Sequence, residues 1–482
     1  MALMKKTCNT QKENYSSFTT RSFRFFMALF AIVITCSAAH AQTWQPLGNP
    51  GFSAGVVQYT SIAINSSGTP YVVYQDDTNS KKATVMKYDS TIGSWVTVGN
   101  PGFSVGPVYN TSIAIDRNGT PYVVYGDGGN SQYATVMKFD GSSWVTVGTA
   151  GFSAGQADFT SIAIDGSGTP YVAYSDWGYN QKATVMKYNG SSWVTVGSPG
   201  FSDSIAQYIS FAINDSGAPY VVYQDFGYTN AATVMKYNGS SWVTVGSPGF
   251  TDSNAYSTSI AINRNGTPYV AYSDGGYYYE ATVMKYNGSS WVIVGNRGIS
   301  FGTAFPISIA IDRHGTPYVA YRGDYPQLQA NVNKYDSSSN YWGSSIGTGA
   351  SLGFSAAQAY YTSFAIDSSG SLYVAYEDWA YGKAATVMEY QNPNAVKNIT
   401  NTATISLTIF PDPNHGSFTF NISSPTKENA TITITNMLGE KVKEVTTTTN
   451  TETQIQLDSP PGVYFISAVT MQGKQSGKVM VW

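Results

Sequence analysis

The stretch SIAIDGSGTPYVAYSDWGYNQKATVMKYNGSSWVTVG, residues 161–197, contains four short apolar runs: SIAI, PYVAY, ATVMKY and WVTVG. The connections DGSGT and NGSS are short, and their Gly and Asn residues adopt left-handed backbone angles readily. Runs of this length that are rich in Val, Tyr and Thr favour strands over helices. The stretch therefore predicts a four-stranded antiparallel meander.

Near-copies of this stretch recur along the chain. The fourth run of each copy begins at a tryptophan, and successive ones are 51, 49, 49, 49, 49 and 51 residues apart: Trp44, Trp95, Trp144, Trp193, Trp242, Trp291 and Trp342. Four strands per period of about 40–50 residues are typical of a β-propeller blade. The array begins with a lone fourth run at Trp44 and ends with a third run, ATVMEY, at 385–390. We therefore predict an all-β chain in which residues 42–390 form a seven-bladed β-propeller closed by the N-terminal strand.

The first 41 residues have the pattern of an export signal peptide. Basic residues precede the apolar run MALFAIVITCSAA, residues 27–39, and Ala39-His40-Ala41 fits a cleavage site. The run is short for a membrane span, so a retained anchor is the less favoured alternative. Both cysteines lie in this segment, so the exported chain has no disulfide. It keeps 21 Lys and Arg against 28 Asp and Glu and has no basic patch, which argues against nucleic acid as a partner.

The repeat ends at Tyr390 and a different pattern follows. Residues 391–404 predict a linker, and residues 405–482 contain short alternating runs that predict a small Ig-like β-sandwich. The segments FPDPNHGSFTF, ITITNMLGEKV, PPGVYFISAV and GKVMVW resemble the type A sorting domain of the type IX secretion system of Bacteroidota. The residues that match that family's motifs are Pro411, Pro413, Asn414, Gly416, Gly439, Gly462 and Tyr464. Phe410 and Asp412 stand where the family usually has Tyr and Asn.

This resemblance implies export to the periplasm, followed by passage across the outer membrane through the type IX machinery. The product would then be secreted or held at the outer cell surface. An ordinary Ig-like adhesion module is the alternative interpretation of residues 405–482.

The loops of the repeat differ in how much they vary. In an up-and-down meander, the first and third connections lie at one end of the sheet, and these hardly change between repeats. The second connection and the link to the next repeat lie at the other end and vary strongly. Aromatic faces beside amides and carboxylates suit sugar rings, so we predict tentative glycan contacts there. The candidates are Trp177, Tyr179, Phe226, Tyr228, Tyr277, Tyr278, Trp379 and Tyr381. The alternative is that exported β-proteins are simply rich in Tyr and Asn.

An aspartate follows the second run of each repeat, displaced by one residue in the sixth: Asp76, Asp127, Asp176, Asp225, Asp274, Asp324 and Asp378. A ring of ligand or Ca²⁺ contacts is one interpretation, and an Asx-type cap of the following turn is the other. The aspartate recurs although the rest of the loop varies, which favours the cap. The D-x-D-x-D spacing of a calcium loop is missing. We predict neither a metal site nor a cofactor. The repeated tryptophans are expected to pack between sheets.

Catalysis needs an asymmetric set of side chains, which would appear as departures from the repeat. The acids found in single repeats, Asp77, Asp158, Glu280 and Glu377, are scattered along the array, and the inner strands contribute mainly Ser and Ala. The three histidines do not favour a Ser-His-Asp arrangement. We therefore predict no catalytic residue and a secreted binding or adhesion protein. A structural surface protein and a polysaccharide-cleaving enzyme are the alternatives.

Overall fold

The computed structural model describes residues 43–324, 327–343, 345–348, 353–391, 406–411, 413–424, 427–437, 439–470 and 473–482. The predicted signal peptide 1–41, residues 392–404 of the predicted linker and Asp412 lie outside these ranges. Within them the structure consists of β-strands and five three-residue 3-10 helices, with no α-helix, so the predicted all-β class is confirmed. None of the described helices is long and apolar enough to cross a membrane.

Seven four-stranded antiparallel sheets follow one another through the described part of the repeat. The chain begins with β1 (Gln45–Pro46). The first three sheets contain β2 (Val57–Ile64), β3 (Pro70–Asp76), β4 (Lys82–Asp89), β5 (Ser94–Thr97); β6 (Val108–Ile115), β7 (Pro121–Asp127), β8 (Tyr133–Phe139), β9 (Trp144–Thr146); β10 (Ala157–Ile164), β11 (Pro170–Asp176), β12 (Lys182–Tyr188) and β13 (Trp193–Thr195). The next three contain β14 (Ala206–Ile213), β15 (Pro219–Asp225), β16 (Ala231–Tyr237), β17 (Trp242–Thr244); β18 (Ala255–Ile262), β19 (Pro268–Asp274), β20 (Glu280–Tyr286), β21 (Trp291–Ile293); β22 (Ile307–Ile311), β23 (Pro317–Arg322), β24 (Ala330–Asp336) and β25 (Tyr341–Trp342).

The seventh sheet takes one strand from the opposite end of the repeat array. It contains β26 (Ala359–Ile366), β27 (Leu372–Asp378) and β28 (Ala384–Tyr390). Its fourth strand is β1, in which Gln45 lies opposite Glu389 and Pro46 lies opposite Met388. The 3-10 helices join second and third strands in five sheets: Asp77–Asn79, Gly128–Asn130, Trp177–Tyr179, Phe226–Tyr228 and Trp379–Tyr381.

The repeated tryptophans join neighbouring sheets. Trp193 Nε1 donates a hydrogen bond to the backbone oxygen of Val147 in the preceding sheet at 2.7 Å, and the indole stacks on Phe152 with ring centroids 4.3 Å apart. All seven are between 2% and 9% exposed. The equivalent bonds are Trp44–Ile346, Trp95–Leu47, Trp144–Val98, Trp242–Val196, Trp291–Val245 and Trp342–Val294. The prediction that these tryptophans pack between sheets is therefore confirmed.

The first strands of neighbouring sheets are hydrogen-bonded in matching register. The Ile113 backbone N donates to Ser61 Oγ at 3.3 Å, which joins β6 to β2. The Ile62 backbone N donates to Ser363 Oγ at 3.1 Å, which joins β2 to β26. Because the register repeats, equivalent ends of the sheets lie on the same side. We call the side formed by the second loops and the inter-repeat links the variable face, and the side formed by the first and third turns the uniform face.

The C-terminal residues form two further sheets. One contains β29 (Ser406–Phe410), β30 (Ser417–Ser423) and β33 (Glu452–Gln456); the other contains β31 (Asn429–Thr435), β32 (Lys441–Thr448), β34 (Gly462–Thr470) and β35 (Gly473–Val481). Apolar side chains from both sheets share one core, in which Phe420, Ile432 and Ile466 are at most 1% exposed. Alternation of buried and exposed residues along β30 and β31 follows from this one-sided burial.

Candidate functional site

In six of the seven sheets, the loop after the second strand is held by its aspartate. Asp127 Oδ1 accepts a hydrogen bond from the Gly129 backbone N at 3.0 Å, while Oδ2 accepts from Asn130 Nδ2 at 2.8 Å and Thr135 Oγ1 at 2.9 Å. The side chain is buried, so its charge faces protein donors instead of solvent. The same backbone bond recurs at Asp76, Asp127, Asp176, Asp225, Asp274 and Asp378. The Asx-type cap is therefore confirmed as the structural role of these six residues.

No group of three or more His, Cys, Asp or Glu side chains is placed to hold a metal ion among the described residues. Burial raises the pKa of the Asp176 and Asp225 carboxyls.

The eight aromatic residues predicted as ligand contacts are all exposed on the variable face. Their exposed fractions range from 38% at Tyr228 to 82% at Tyr278. They occur as pairs in the loops of the third, fourth, fifth and seventh sheets: Trp177 and Tyr179, Phe226 and Tyr228, Tyr277 and Tyr278, Trp379 and Tyr381. Within the described structure, the one contact between two of these eight rings joins Tyr277 to Tyr278 in a single loop. The structure therefore presents separate aromatic pairs and not one shared pocket.

Four of these tyrosines lie in close contact with a glycine of an inter-repeat link, and at one of them, Tyr277, a Cβ on Gly298 would lie 2.2 Å from its Cε1. A Cβ at Gly200 would lie 2.7 Å from the Tyr179 Cβ, and the φ of Gly200 is +58°. Tyr228 lies over Gly249 in the same way. Tyr381 lies over Gly51, which belongs to the link at the start of the array. A larger residue at these glycines would displace the ring, so the backbone fixes where the tyrosine stands.

Two of the acids found in single repeats support loop tryptophans. Asp158 Oδ2 accepts from Trp177 Nε1 at 2.7 Å, and Glu377 Oε1 accepts from Trp379 Nε1 at 2.8 Å. Glu377 is 5% exposed, and this burial raises the pKa of its carboxyl. Burial likewise raises the pKa of Glu280, which begins β20 in the fifth sheet. The structure therefore distributes these acids over different sheets.

Sequence reasoning missed a group of side chains at bulges in the first strands. The register of most first strands shifts near the variable face, and the bulged residue has positive φ: Tyr59, Asn110, Phe159, Tyr208, Ser257 and Tyr361. The ring centroids of Tyr59 and Tyr361 lie 5.2 Å apart. Tyr208 lies 5.2 Å from Phe159 and 5.9 Å from Phe305 of the sixth sheet. The expectation that inner strands present mainly Ser and Ala is therefore incomplete. The sequence feature that could have indicated these side chains is the tyrosine at the end of links such as GFSAGVVQY and GFSDSIAQY.

The residues of the predicted sorting motif tie the C-terminal sheets together. The buried Asn414 donates its backbone N to the Met480 oxygen at 3.0 Å, and its Oδ1 accepts from the Gly416 backbone N at 2.8 Å. Its backbone oxygen accepts from Trp482 N at 3.0 Å. Tyr464 donates its hydroxyl to the Pro460 oxygen at 2.6 Å. These contacts hold the first loop of the domain against its last strand.

The two described motif glycines with positive φ, Gly416 and Gly439, occupy different surroundings. Gly416 has φ +88°, and a Cβ there would lie 2.9 Å from the Leu457 backbone oxygen. Gly439 has φ +80° in a turn where no atom lies within 4 Å of that position. The first glycine is required by both backbone and space, and the second by backbone alone.

Comparison with solved structures identifies a shared fold. A fungal alcohol oxidase in complex with copper is 12% identical, with 92% of this chain and 100% of that chain covered and a TM-score of 0.50. An ulvan lyase from a family of polysaccharide lyases is 13% identical over 72% of this chain and 94% of that chain, with a TM-score of 0.45. A lectin from Aleuria aurantia in complex with Fucα1-6GlcNAc is 16% identical over 63% of this chain and 99% of that chain, with a TM-score of 0.40. The likeness to the oxidase structure shows a propeller-like all-β fold and, at 12% identity, carries no activity across.

Comparison with protein sequences concerns the C-terminal residues. No curated protein matches the chain. Residues 408–482 match the family model of the secretion system C-terminal sorting domain. This match supports the type IX sorting domain predicted from the motif residues, and such a tail implies secretion to the cell surface.

Proposed function

We propose that residues 42–390 form a closed seven-bladed β-propeller that binds extracellular glycan through its variable face. The pairing of β1 with β28 supports the closed ring. Hydrogen bonds between first strands also support it. Thr60 Oγ1 donates to the backbone oxygen of Tyr361 in the seventh sheet, and Thr111 Oγ1 donates in the same way to the backbone oxygen of Tyr59 in the first sheet. The same contact thus joins the last sheet to the first and the first to the second.

The observation that carries the glycan proposal is the exposure of all eight loop aromatics on one face. Exposed apolar groups cluster on soluble proteins chiefly at binding sites. Sugar rings have apolar C–H faces that stack on aromatic rings and hydroxyls that bond to neighbouring polar groups. Aromatic pairs on four separate sheets would contact several residues of one polymer, so their affinities would reinforce one another.

The sorting domain defines the route and the first partner in this proposal. The chain reaches the periplasm through its signal peptide, and residues 405–482 engage the type IX secretion machinery. The propeller then acts outside the cell, secreted or at the outer cell surface, as an adhesion or binding module.

A glycan array probed with the full exported chain tests the glycan proposal. We expect binding to at least one glycan class, weakened about tenfold by Trp177→Ala or Tyr228→Ala because a stacked ring is lost. Tyr341→Ala is the matched control. This tyrosine is 56% exposed, but it begins β25 after the third turn of the sixth sheet and therefore lies at the uniform face. Absence of binding at high glycan density, or equal loss in the control, would refute the proposal.

Polysaccharide cleavage is the second candidate, and Glu377 is the observation that favours it. Glu377 accepts a hydrogen bond at 2.8 Å from Nε1 of Trp379, which is exposed on the variable face, and burial raises the pKa of the Glu377 carboxyl, the direction that favours a general acid. Release of oligosaccharides from a polysaccharide, abolished by Glu377→Gln, would establish the activity.

A further inference from the structure

The second-strand residue that pairs with the alanine equivalent to Ala183 is neutral in five sheets and charged in the sixth and seventh. The neutral residues are Gln75, Gly126, Ser175, Gln224 and Ser273. The charged residues are Arg322 at the end of β23 and Glu377 in β27. Adjacent sheets therefore depart from the repeat at the same level, next to the variable face.

Contacts join these two positions into one group. The Arg322 guanidinium carbon lies 4.4 Å from the centroid of the Tyr360 ring. That ring lies 5.4 Å from Trp379, with 30° between the planes, and Lys383 Nζ lies 4.4 Å from the centroid of the Trp379 ring. Glu377 lies opposite Tyr360 in the ladder between β26 and β27 and accepts the Trp379 N–H. We call these five residues the Arg322–Lys383 cluster.

The cationic end of this cluster has unused hydrogen-bonding capacity. Arg322 Nε is buried and has no hydrogen-bond partner, and the guanidinium forms no ion pair within the described ranges. Arg297 provides the contrast, since it bonds Asp274 at 2.8 Å and Asp252 at 3.1 Å. Burial lowers the pKa of Arg322, but an arginine side chain stays protonated in proteins, so the unpaired donor keeps its charge.

Within the described ranges, Glu377, the carboxylate of the cluster, forms no ion pair with Arg322. Glu377 is occupied by the Trp379 indole, and the charges that act on it are those of Lys383 and Asp77. A buried charged donor without an acceptor is unfavourable, and an anion bound there would supply the acceptor. Arg322 is partly exposed, so a ligand on the variable face can reach it.

We propose that the Arg322–Lys383 cluster binds an anionic sugar residue, one bearing a carboxylate or a sulfate ester, within the glycan held by the variable face; this rests on the proposed function. The guanidinium fork bonds the anion, which is the geometry that arginine offers to carboxylates and oxyanions. Lys383 adds positive charge, and Trp379, 43% exposed, contacts the sugar ring.

The test measures affinity of the full exported chain for paired oligosaccharides that share one backbone. One pair differs by reduction of the uronate carboxyl group, and the other differs by removal of sulfate esters. We expect the wild-type chain to bind at least one anionic member about tenfold more tightly than its neutral partner, since charge-assisted hydrogen bonds are strong. Arg322→Gln should abolish that preference. The pair that shows the preference identifies the anion.

Controls separate a binding role from a general effect of charge. Arg264→Gln makes the same change in an exposed turn of the uniform face and should keep the wild-type preference. Thermal unfolding shows whether Arg322→Gln is folded. Lys383→Gln is a second variant that tests the same cluster if Arg322→Gln is not, and we expect it to reduce the preference for the anionic glycan. Retention of the preference in both cluster variants, or its loss in Arg264→Gln, would overturn the assignment. Binding of neutral glycans alone would overturn it while leaving the proposed function intact; binding of no glycan would overturn both.

Discussion

Trp44→Ala is the substitution that most directly tests whether the N-terminal strand completes the seventh sheet. Trp44 is 6% exposed, stacks on Phe354 with centroids 4.0 Å apart, and donates Nε1 to the Ile346 oxygen at 2.8 Å. Trp193, in the middle of the array, makes the equivalent stack and hydrogen bond at 4.3 Å and 2.7 Å. Trp193→Ala is therefore a matched control with the same side chain and the same contacts.

The expected loss follows from these contacts. Truncating a buried tryptophan lowers the free energy of unfolding by about 3–5 kcal/mol, from lost burial and the cavity that remains. Stacking contributes about 0.5–1.5 kcal/mol of that loss, and the hydrogen bond to the carbonyl contributes about 1 kcal/mol. If β1 is an integral strand, the two variants should lose similar free energy.

Urea unfolding of the full chain, followed by circular dichroism, measures the loss. Hydrogen exchange of the Leu47 amide localises it, because the Leu47 backbone N donates to the Val387 oxygen of β28 at 2.9 Å across this edge. We expect both variants to unfold at lower urea concentration, and Trp44→Ala to accelerate exchange of the Leu47 amide. Wild-type stability and exchange in Trp44→Ala, alongside a destabilised Trp193→Ala, would refute closure by the N-terminal strand.

Three further substitutions have defined outcomes. Asp127→Ala removes the acceptor of three hydrogen bonds and should lower the free energy of unfolding by about 2–3 kcal/mol, whereas Asp127→Asn should retain part of it; equal melting temperatures would contradict the capping role. Glu377→Gln should stabilise the chain increasingly as the pH rises above 4.5, the ordinary pKa of the group, because the raised folded-state pKa makes ionisation unfavourable there; a stability difference that does not change from about pH 4 to about pH 8 would contradict this. Gly416→Ala should destabilise the C-terminal sheets more than Gly439→Ala, since a Cβ at Gly416 alone meets the Leu457 oxygen at 2.9 Å; domain-resolved hydrogen exchange compares the two.

The strands and tight turns of each repeat could be predicted because local signals agree there. Turns such as DGSGT place Gly168 at φ +88°, a conformation that glycine adopts without strain. The alternating runs then determine which side chains are buried. The position of the loop aromatics at the ends of second strands follows directly from that meander.

The bulges and the cluster depended on contacts between sheets, which the local sequence does not reveal. Tyr208 has φ +49°, which is unusual for a tyrosine. Its backbone oxygen accepts a hydrogen bond from Thr258 Oγ1 of the next sheet at 2.5 Å. Arg322 was visible as a departure from the repeat, but its neighbour Tyr360 belongs to the following sheet. Only the packing of one sheet on the next brings these two residues together.

The edge that β28 offers to β1 is the same on every copy of the chain. The Phe52 backbone N bonds the Ala385 oxygen at 2.9 Å, so residues beyond β1 follow the same edge. An N-terminal segment from another molecule could make the same bonds, which is the geometry of domain swapping. Within one molecule a tethered segment has an effective concentration in about the millimolar range, so the intramolecular pairing prevails in dilute solution. Exchanged dimers should therefore accumulate when the chain is refolded at high concentration and should persist after dilution for as long as the strand takes to detach.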